Sequence, residues 1–155
     1  MSEFEIRQDD LRGGEVIALL EQHLAEMNSH TPPESVHALD VDRLRAPGVT
    51  FWSVWSPDGR LAGCGALKRI DDTHAEIKSM RVADDFRRQG VGQVVLRHLI
   101  DAARAAGYRR VSLETGSNPP FEAARRLYER NGFTYCGPFD GYVEDPWSVF
   151  MTLEL

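Results

Sequence analysis

Cysteine is scarce in this chain. Of 155 residues only Cys64 and Cys136 carry thiols. Neither belongs to a Cys-x-x-Cys pair or a Cys/His cluster, so no zinc framework is legible. His23, His30, His74 and His98 also lack a metal-like spacing, and no metal site is expected. A disulfide is not expected in a reducing compartment; both thiols read as buried structural side chains. No apolar run approaches the roughly 18 residues of a membrane span. The opening stretch MSEFEIRQDDL lacks the apolar region of a signal peptide. Cytoplasmic residence without membrane association is therefore expected. An excess of positive charge is missing too: the net charge is −6, which argues against a nucleic-acid binder driven by bulk charge. Repeats, low-complexity tracts and linkers are absent, and 155 residues fit a single domain, 1–155.

What is present is an alternation of strand and helix patterns. EFEIRQ (Glu3 to Gln8) reads as a short strand. From Asp9 to about Met27 the pattern is helical, with Val16, Ile17, Leu19, Leu20 and Leu24 on one side. A short helix is expected from Asp40 to Arg45, stopped by Ala46-Pro47-Gly48. Strands follow at Thr50 to Trp55, Arg60 to Ile70 and Ala75 to Val82. They are separated by the turn signals Ser56-Pro57-Asp58-Gly59 and DDTH, an antiparallel meander. A helix starting near Gly90 carries Val91, Val94, Val95, Leu99, Ala102 and Ala106, with Gly107 as its stop. RRVSLET (Arg109 to Thr115) is a strand. Pro119-Pro120 opens a helix to Arg130, for which Ser117 or Asn118 is the expected cap. FTYCGPF and SVFMTLEL are the last two strands. The whole reads as a mixed α/β domain.

The chemistry concentrates at DDFRRQGVGQVV, from Asp84 to Val95. Glycine costs a helix roughly 1 kcal/mol relative to alanine, so Gly90 and Gly92 at a helix start suggest that the backbone itself is wanted. A helix N-terminus has unpaired N–H groups and about half a positive charge, and glycines let a phosphate approach those groups. Arg87 and Arg88 add full charges. The spacing is neither the dinucleotide fingerprint GxGxxG nor the P-loop GxxxxGK[ST]. Alone, Arg87-x-x-Gly90-x-Gly92 is equally compatible with a glycine-rich turn on a solvated basic face.

Two motifs together go further. The turn follows a strand ending Met80-Arg81-Val82 and precedes, after one more strand, a helix reading AARRLYERNGF (Ala123 to Phe133). This arrangement resembles the GNAT superfamily of acetyl-CoA-dependent N-acetyltransferases. Arg87, Gly90 and Gly92 fill the family's Arg/Gln-x-x-Gly-x-Gly/Ala turn. Ala124, Leu127, Tyr128, Gly132 and Phe133 fill its later helix motif. The resemblance spans nearly the full chain and is strongest from Ala75 to Phe133. It implies a single GNAT-like α/β domain with a mixed central sheet of about seven strands and about four flanking helices.

The resemblance also implies roles. Acetyl-CoA is the co-substrate, its pyrophosphate held by Arg87, Arg88, Gln89, Gly90, Val91 and Gly92. Its pantetheine arm runs along Met80, Arg81 and Val82, where strand N–H groups bond the thioester oxygen. Many relatives place asparagine seven positions before the helix tyrosine; here that position is Phe121. Asn118 lies three residues earlier, and Phe121, Asn118 and Ala124 complete the expected cofactor set. Tyr128 takes the place of the family's tyrosine acid. A phenol near pKa 10 facing a thiol near 8.5 is mismatched by about 2 kcal/mol, which a hydrogen bond in a dry site offsets. On its own Tyr128 reads rather as a core tyrosine on the apolar helix face with Leu127. Glu76 stands eleven positions before Arg87, the spacing of the glutamate base in histone-acetylating members. On its own it reads as an outward strand residue paired with Lys78 or Arg69. His37, Trp52, Tyr142 and Trp147 are candidates for the acceptor pocket.

The implied reaction is acetyl transfer to a primary amine, a small molecule or peptide, by direct attack in a ternary complex. An acetyl-cysteine route is disfavoured because neither cysteine has a sequence signature for activation. The alternative from another class is a non-catalytic acyl-CoA-binding or regulatory module, which would lack a working acid. The oligomeric state is open, a homodimer included, as are the acceptor and the preferred acyl length.

Overall fold

The structure is a computed structural model that describes residues 3–155. Its strands are β1 (Glu5–Gln8), β2 (Val49–Trp55), β3 (Leu61–Arg69), β4 (His74–Val82), β5 (Arg110–Gly116), β6 (Thr134–Cys136) and β7 (Ser148–Glu154). Its helices are α1 (Gly14–His30), α2 (Val41–Leu44), α3 (Val91–Ala105) and α4 (Glu122–Arg130). The seven strands form one sheet in the order β1-β2-β3-β4-β5-β7-β6. The expected meander is present: β2 pairs with β3 and β3 with β4, both antiparallel. Among the described residues only β4 and β5 run parallel.

Two apolar layers cover the two faces of this sheet. Strand side chains alternate between faces, and β2 shows the division. Phe51 packs with Val16, Leu19, Leu20 and Leu44 from α1 and α2. Val54 packs with Val91, Val95, Leu96, Leu99 and Ile100 from α3. On α3 these residues recur at helical spacing and are almost fully buried. Burying each such side chain contributes roughly 1.5–3 kcal/mol, which more than offsets the glycines at the helix start. Trp52 shares the α3 face, its ring 4.9 Å from that of His98. It is therefore remote from an acceptor pocket, contrary to the sequence expectation.

Three local expectations need correction. The first helix begins at Gly14 rather than Asp9, because the Asp9 and Asp10 carboxylates accept the backbone N–H groups of Leu11 and Arg12. Such aspartate turns compete with helix. Neither Ser117 nor Asn118 caps the helix after Pro119-Pro120. Those prolines form a 3-10 turn, Pro119–Phe121, with no side-chain cap, and α4 starts only at Glu122. Ser117 Oγ instead donates to Pro146 O, and Asn118 Nδ2 to His30 O. The strand expected over FTYCGPF shrinks to Thr134–Cys136, on the outer edge beside β7.

The feature that positions the site is a gap. β4 and β5 pair only from His74 to Glu76 against Arg110 to Ser112. Beyond that register the two strands diverge. A bulge helps turn β4 aside: Cys64 faces Arg81 and Ala66 faces Lys78, so Ser79 and Met80 stand against Gly65 alone. Ser79 takes φ +53°, a left-handed backbone rare for a non-glycine residue.

Candidate active site

The gap between β4 and β5 opens into a cleft of about 810 Å³. Its walls are the diverging strands, Ile77 to Val82 and Leu113 to Gly116. From the α3 side it is bounded by Arg87, Arg88 and Gly90 to Gly92, with Ala124, Leu127 and Tyr128 of α4. From the other side it is bounded by the end of α1 (His23, Glu26, Met27, His30), the segment Ser35 to Ala38, and Trp147. The cleft thus passes through the sheet, with one entrance on each face.

The glycine turn sits at the first entrance. Gly90 is the N-cap of α3 with φ +80°, and a Cβ there would meet nothing within 4 Å. Its conformation, not crowding, calls for glycine. Gly92 differs: a Cβ there would lie 3.1 Å from Leu127 Cδ2, so this glycine lets α3 approach α4. Arg88 precedes Gly90 at φ +64°. Arg87 already has carboxylate neighbours, Asp84 at 2.8 Å and Glu26 at 3.7 Å. Arg81 is 8% exposed and forked onto Glu26, with Nη2 to Oε1 at 2.8 Å. Its guanidinium is committed to α1 and its backbone faces Cys64 on β3, so the strand N–H groups that face the gap are those of its neighbours Met80 and Val82, contrary to the sequence expectation for Arg81.

Tyr128 is 7% exposed, packs with Leu113, Phe133 and Met151, and lines the cleft. No described residue hydrogen-bonds its hydroxyl. Burial, then the nearby Glu114 charge, pushes its pKa up to about 12. The core and acid readings therefore hold together: the ring fills the α3-side core and the residue reaches the cleft. Phe121 and Ala124 also line the cleft. The Asn118 side chain, by contrast, is tied to His30 O at the end of α1. Gln89 bonds its amide to Asp85 O.

Glu76 is placed differently from either sequence reading. It is 1% exposed, does not line the cleft, and faces the layer opposite α3. Its Oε2 accepts the Tyr142 hydroxyl at 2.5 Å and lies 3.3 Å from Lys78 Nζ. Lys78 Nζ also donates to Tyr142 Oη at 2.8 Å and to His37 O at 3.0 Å. The paired partner Lys78 was expected; the enclosure was not. A carboxylate held this way cannot meet an amine in the cleft unless Tyr142 and Lys78 both move. Of the expected acceptor-pocket residues, His37 and Trp147 line the cleft and Tyr142 stands behind Lys78.

Two carboxylates line the cleft, Glu26, which is forked onto Arg81, and Glu114 on β5, which forms no ion pair among the described residues. Sequence reasoning passed over it as a residue of an alternating strand. Burial, the dominant influence, pushes its pKa up to about 7; Ser148 and Lys78 pull it down slightly, and Glu76 adds to the rise. The Ser148 hydroxyl is buried beside it but completes no well-formed hydrogen bond. Cys64 is buried, with its thiol pushed up to about 12 by desolvation, so it has no thiolate character for a covalent route. Among the described residues no group of three or more His, Cys, Asp or Glu side chains could hold a metal ion, and no helix is long and apolar enough to cross a membrane.

The sequence profile of the acetyltransferase (GNAT) family matches residues 16–133. The chain belongs to that family. An uncharacterized N-acetyltransferase of Bacillus subtilis is 55% identical over 150 residues, covering 97% of this chain and 99% of its own. A crystal structure described as an acyl-CoA N-acyltransferase from Klebsiella pneumoniae superposes with a TM-score of 0.80 at 29% identity, over 98% of this chain and 97% of that one. A GNAT acetyltransferase from Elizabethkingia anophelis with acetyl-CoA bound shares the fold, with a TM-score of 0.71 at 17% identity over the full length of both chains. The seven-stranded mixed sheet and four helices are those of this family, and the protein is an N-acetyltransferase by kinship as well as by fold.

Proposed function

We propose that this GNAT protein transfers the acetyl group of acetyl-CoA to a primary amine by direct attack in a ternary complex. The observation that carries this reading is the cleft through the sheet. One entrance has the helix start and Tyr128, the other a separate polar chamber, and the diverging strand edges lie between. Acetyl-CoA enters from the α3 side, its pyrophosphate at the N-terminus of α3 and at Arg88. Met80 and Val82 supply backbone N–H groups at the edge of β4 toward the thioester oxygen, where they would stabilise the developing oxyanion, while Arg81 between them turns its own backbone to Cys64 of β3. The amine attacks from the opposite face. Tyr128, on the thioester side, gives its proton to the departing sulfur. The phenol is a weak acid here, but the same dry surroundings disfavour a thiolate, so the gap between the two groups decides the cost.

The test is a screen of primary amines with acetyl-CoA, reading free thiol. Thiol release that requires an amine, with the acetylated amine recovered, is the expected result. Acetyl-CoA binding with no amine-dependent release across small amines and peptide N-termini would remove the reading.

A further inference from the structure

The chamber on the α1 side has a definite electrostatic character. Its Lys78 is 8% exposed, and its donors go to His37 O, Tyr142 Oη and the Glu76 carboxylate. Arg81 is committed to Glu26. Burial lowers the pKa values of His23 and His37, keeping both neutral near pH 7. Arg88, the remaining arginine of the cleft wall, has no carboxylate partner among the described residues and belongs to the coenzyme entrance. Apart from His30, whose ring meets that of Phe121, the α1-side chamber therefore offers no uncommitted basic side chain among the described residues. It does offer a carboxylate, Glu114, together with the apolar surfaces of Met27, Val36 and Trp147.

The faces of the sheet fix what Glu114 can do. It sits opposite Phe150, which packs with Phe139 and Tyr142 on the α1 side. Its neighbour Leu113 points the other way, into the α3-side core with Tyr128. The carboxyl and the phenol thus approach one cleft from opposite faces. Direct attack needs this division, because the amine loses its proton on one side of the carbonyl carbon while sulfur leaves on the other.

Resting on the reading above, we infer that Glu114 receives the acceptor's ammonium group and takes its proton, and that the acceptor carries this amine on an apolar body without a neighbouring carboxylate. One N–H proton passes from the ammonium to Glu114, and the neutral nitrogen's lone pair attacks the thioester carbon. The C–S bond then breaks, with sulfur protonated from Tyr128. The second nitrogen proton is lost as the amide forms and restores the phenol through solvent. The charges and titrating groups facing Glu114 are Lys78 and Glu76 from β4, Tyr128 from α4, and Tyr142 and Asp145 from the loop before β7. An amino-acid carboxylate entering this chamber would meet Glu114 and find no uncommitted lysine or arginine, a repulsive arrangement that discriminates as well as any contact.

Phenethylamine and L-phenylalanine are a suitable pair of probes, because they differ only by the carboxylate. With acetyl-CoA at pH 7, wild type should use phenethylamine with a kcat/KM at least tenfold above that for L-phenylalanine. Glu114→Gln should lower kcat for phenethylamine by about 10²–10⁴-fold, the range of a general base. It should leave acetyl-CoA affinity unchanged, and the loss should shrink toward pH 10. L-phenylalanine used as well as phenethylamine, or a wild-type rate in Glu114→Gln, overturns the inference. If wild type acetylates neither probe, the reaction itself is in question and a second measurement decides Glu114. With ¹³C-carboxyl glutamate and CoA present, phenethylammonium should lower the Glu114 titration midpoint. An unmoved midpoint overturns the inference.

Discussion

Tyr142 and Glu76, 66 residues apart in sequence, share a 2.5 Å hydrogen bond beneath the cleft, with Lys78 Nζ 2.8 Å from the phenol oxygen. The three are mutually bonded, a buried cation, a buried anion and a hydroxyl that donates to one while accepting from the other, and Glu76 Oε1 is buried beside them without a hydrogen-bond partner. Burial, then the Glu76 charge, pushes the Tyr142 hydroxyl well above its ordinary pKa, which keeps it a donor. Breaking one side of such a pair leaves a buried charge uncompensated, at about 3–5 kcal/mol. Glu76→Gln should lose stability of that order in urea denaturation. Tyr142→Phe should lose about 1–3 kcal/mol. Acetyl-CoA affinity should hold in both. A Glu76→Gln protein as stable as wild type, with a collapsed kcat, would return Glu76 to a direct role in proton removal.

Gly90 supports a second prediction. Gly90→Glu adds a side chain where the structure has open space, but at φ +80° and beside the helix start. The protein should fold with a loss of about 1 kcal/mol, since αL conformations cost L-residues roughly that much. The new carboxylate should repel the pyrophosphate, so acetyl-CoA should no longer raise the Tm. Calorimetry showing equal affinity for wild type and variant would remove the pyrophosphate from this turn.

Tyr128→Phe removes one hydroxyl and keeps the ring that packs against Phe133, 5.8 Å away between centroids. Folding and acetyl-CoA binding should persist, and kcat should fall by about 10²–10⁴-fold. A thioester with a more acidic leaving thiol should narrow the gap. Near wild-type kcat, measured where chemistry limits the rate, would leave Tyr128 as a core residue alone.

The pH dependence of stability should carry two opposed contributions. His23 has its pKa lowered to about 4 by burial first and by Arg81 second. Its contribution is complete above the unfolded value near 6.5 and is lost as pH falls toward 4. Glu114 is raised to about 7, so its contribution is complete below about 4.5 and is lost as pH rises through 7. Each amounts to about 3 kcal/mol at most, from 1.36 kcal/mol per unit. Between pH 4.5 and 6.5 they offset one another. Glu114→Gln should expose the His23 slope, with stability rising across that window, and should be more stable than wild type at pH 8. Denaturation midpoints measured from pH 4 to 8 check both signs.

The elements that local chemistry dictates were legible in the sequence. Turn residues marked the β2–β3–β4 meander, and the period of Val91, Val95 and Leu99 marked α3. Arg87, Gly90, Gly92 and Tyr128 stand out because two motifs occur in order, and all four line the cleft. What escaped was non-local. Glu76 sits in an alternating strand, and its enclosure depends on Tyr142, from the loop before β7. Glu114 was hidden for the same reason, although a carboxylate between Leu113 and Gly116 in a buried strand was an available signal. The late start of α1 was misread because apolar periodicity carries no mark of the aspartate turns before it.

The short pairing of β4 with β5 has a consequence for solubility. Unpaired strand edges invite other chains to add to a sheet, and proteins usually blunt them with charge, proline or a bulge. Here two such edges, Ile77 to Val82 and Leu113 to Gly116, lie inside the molecule, flanked by the end of α1 on one face and α4 on the other. A slender extended arm can reach them; a strand of a neighbouring chain, with its own side chains and sheet, cannot. The fold keeps an unpaired edge open within the cleft without offering a nucleus for aggregation. Loosening α1, for example by replacing Leu19 or Leu20 in its buried face, would therefore endanger solubility before it touched any group that does chemistry.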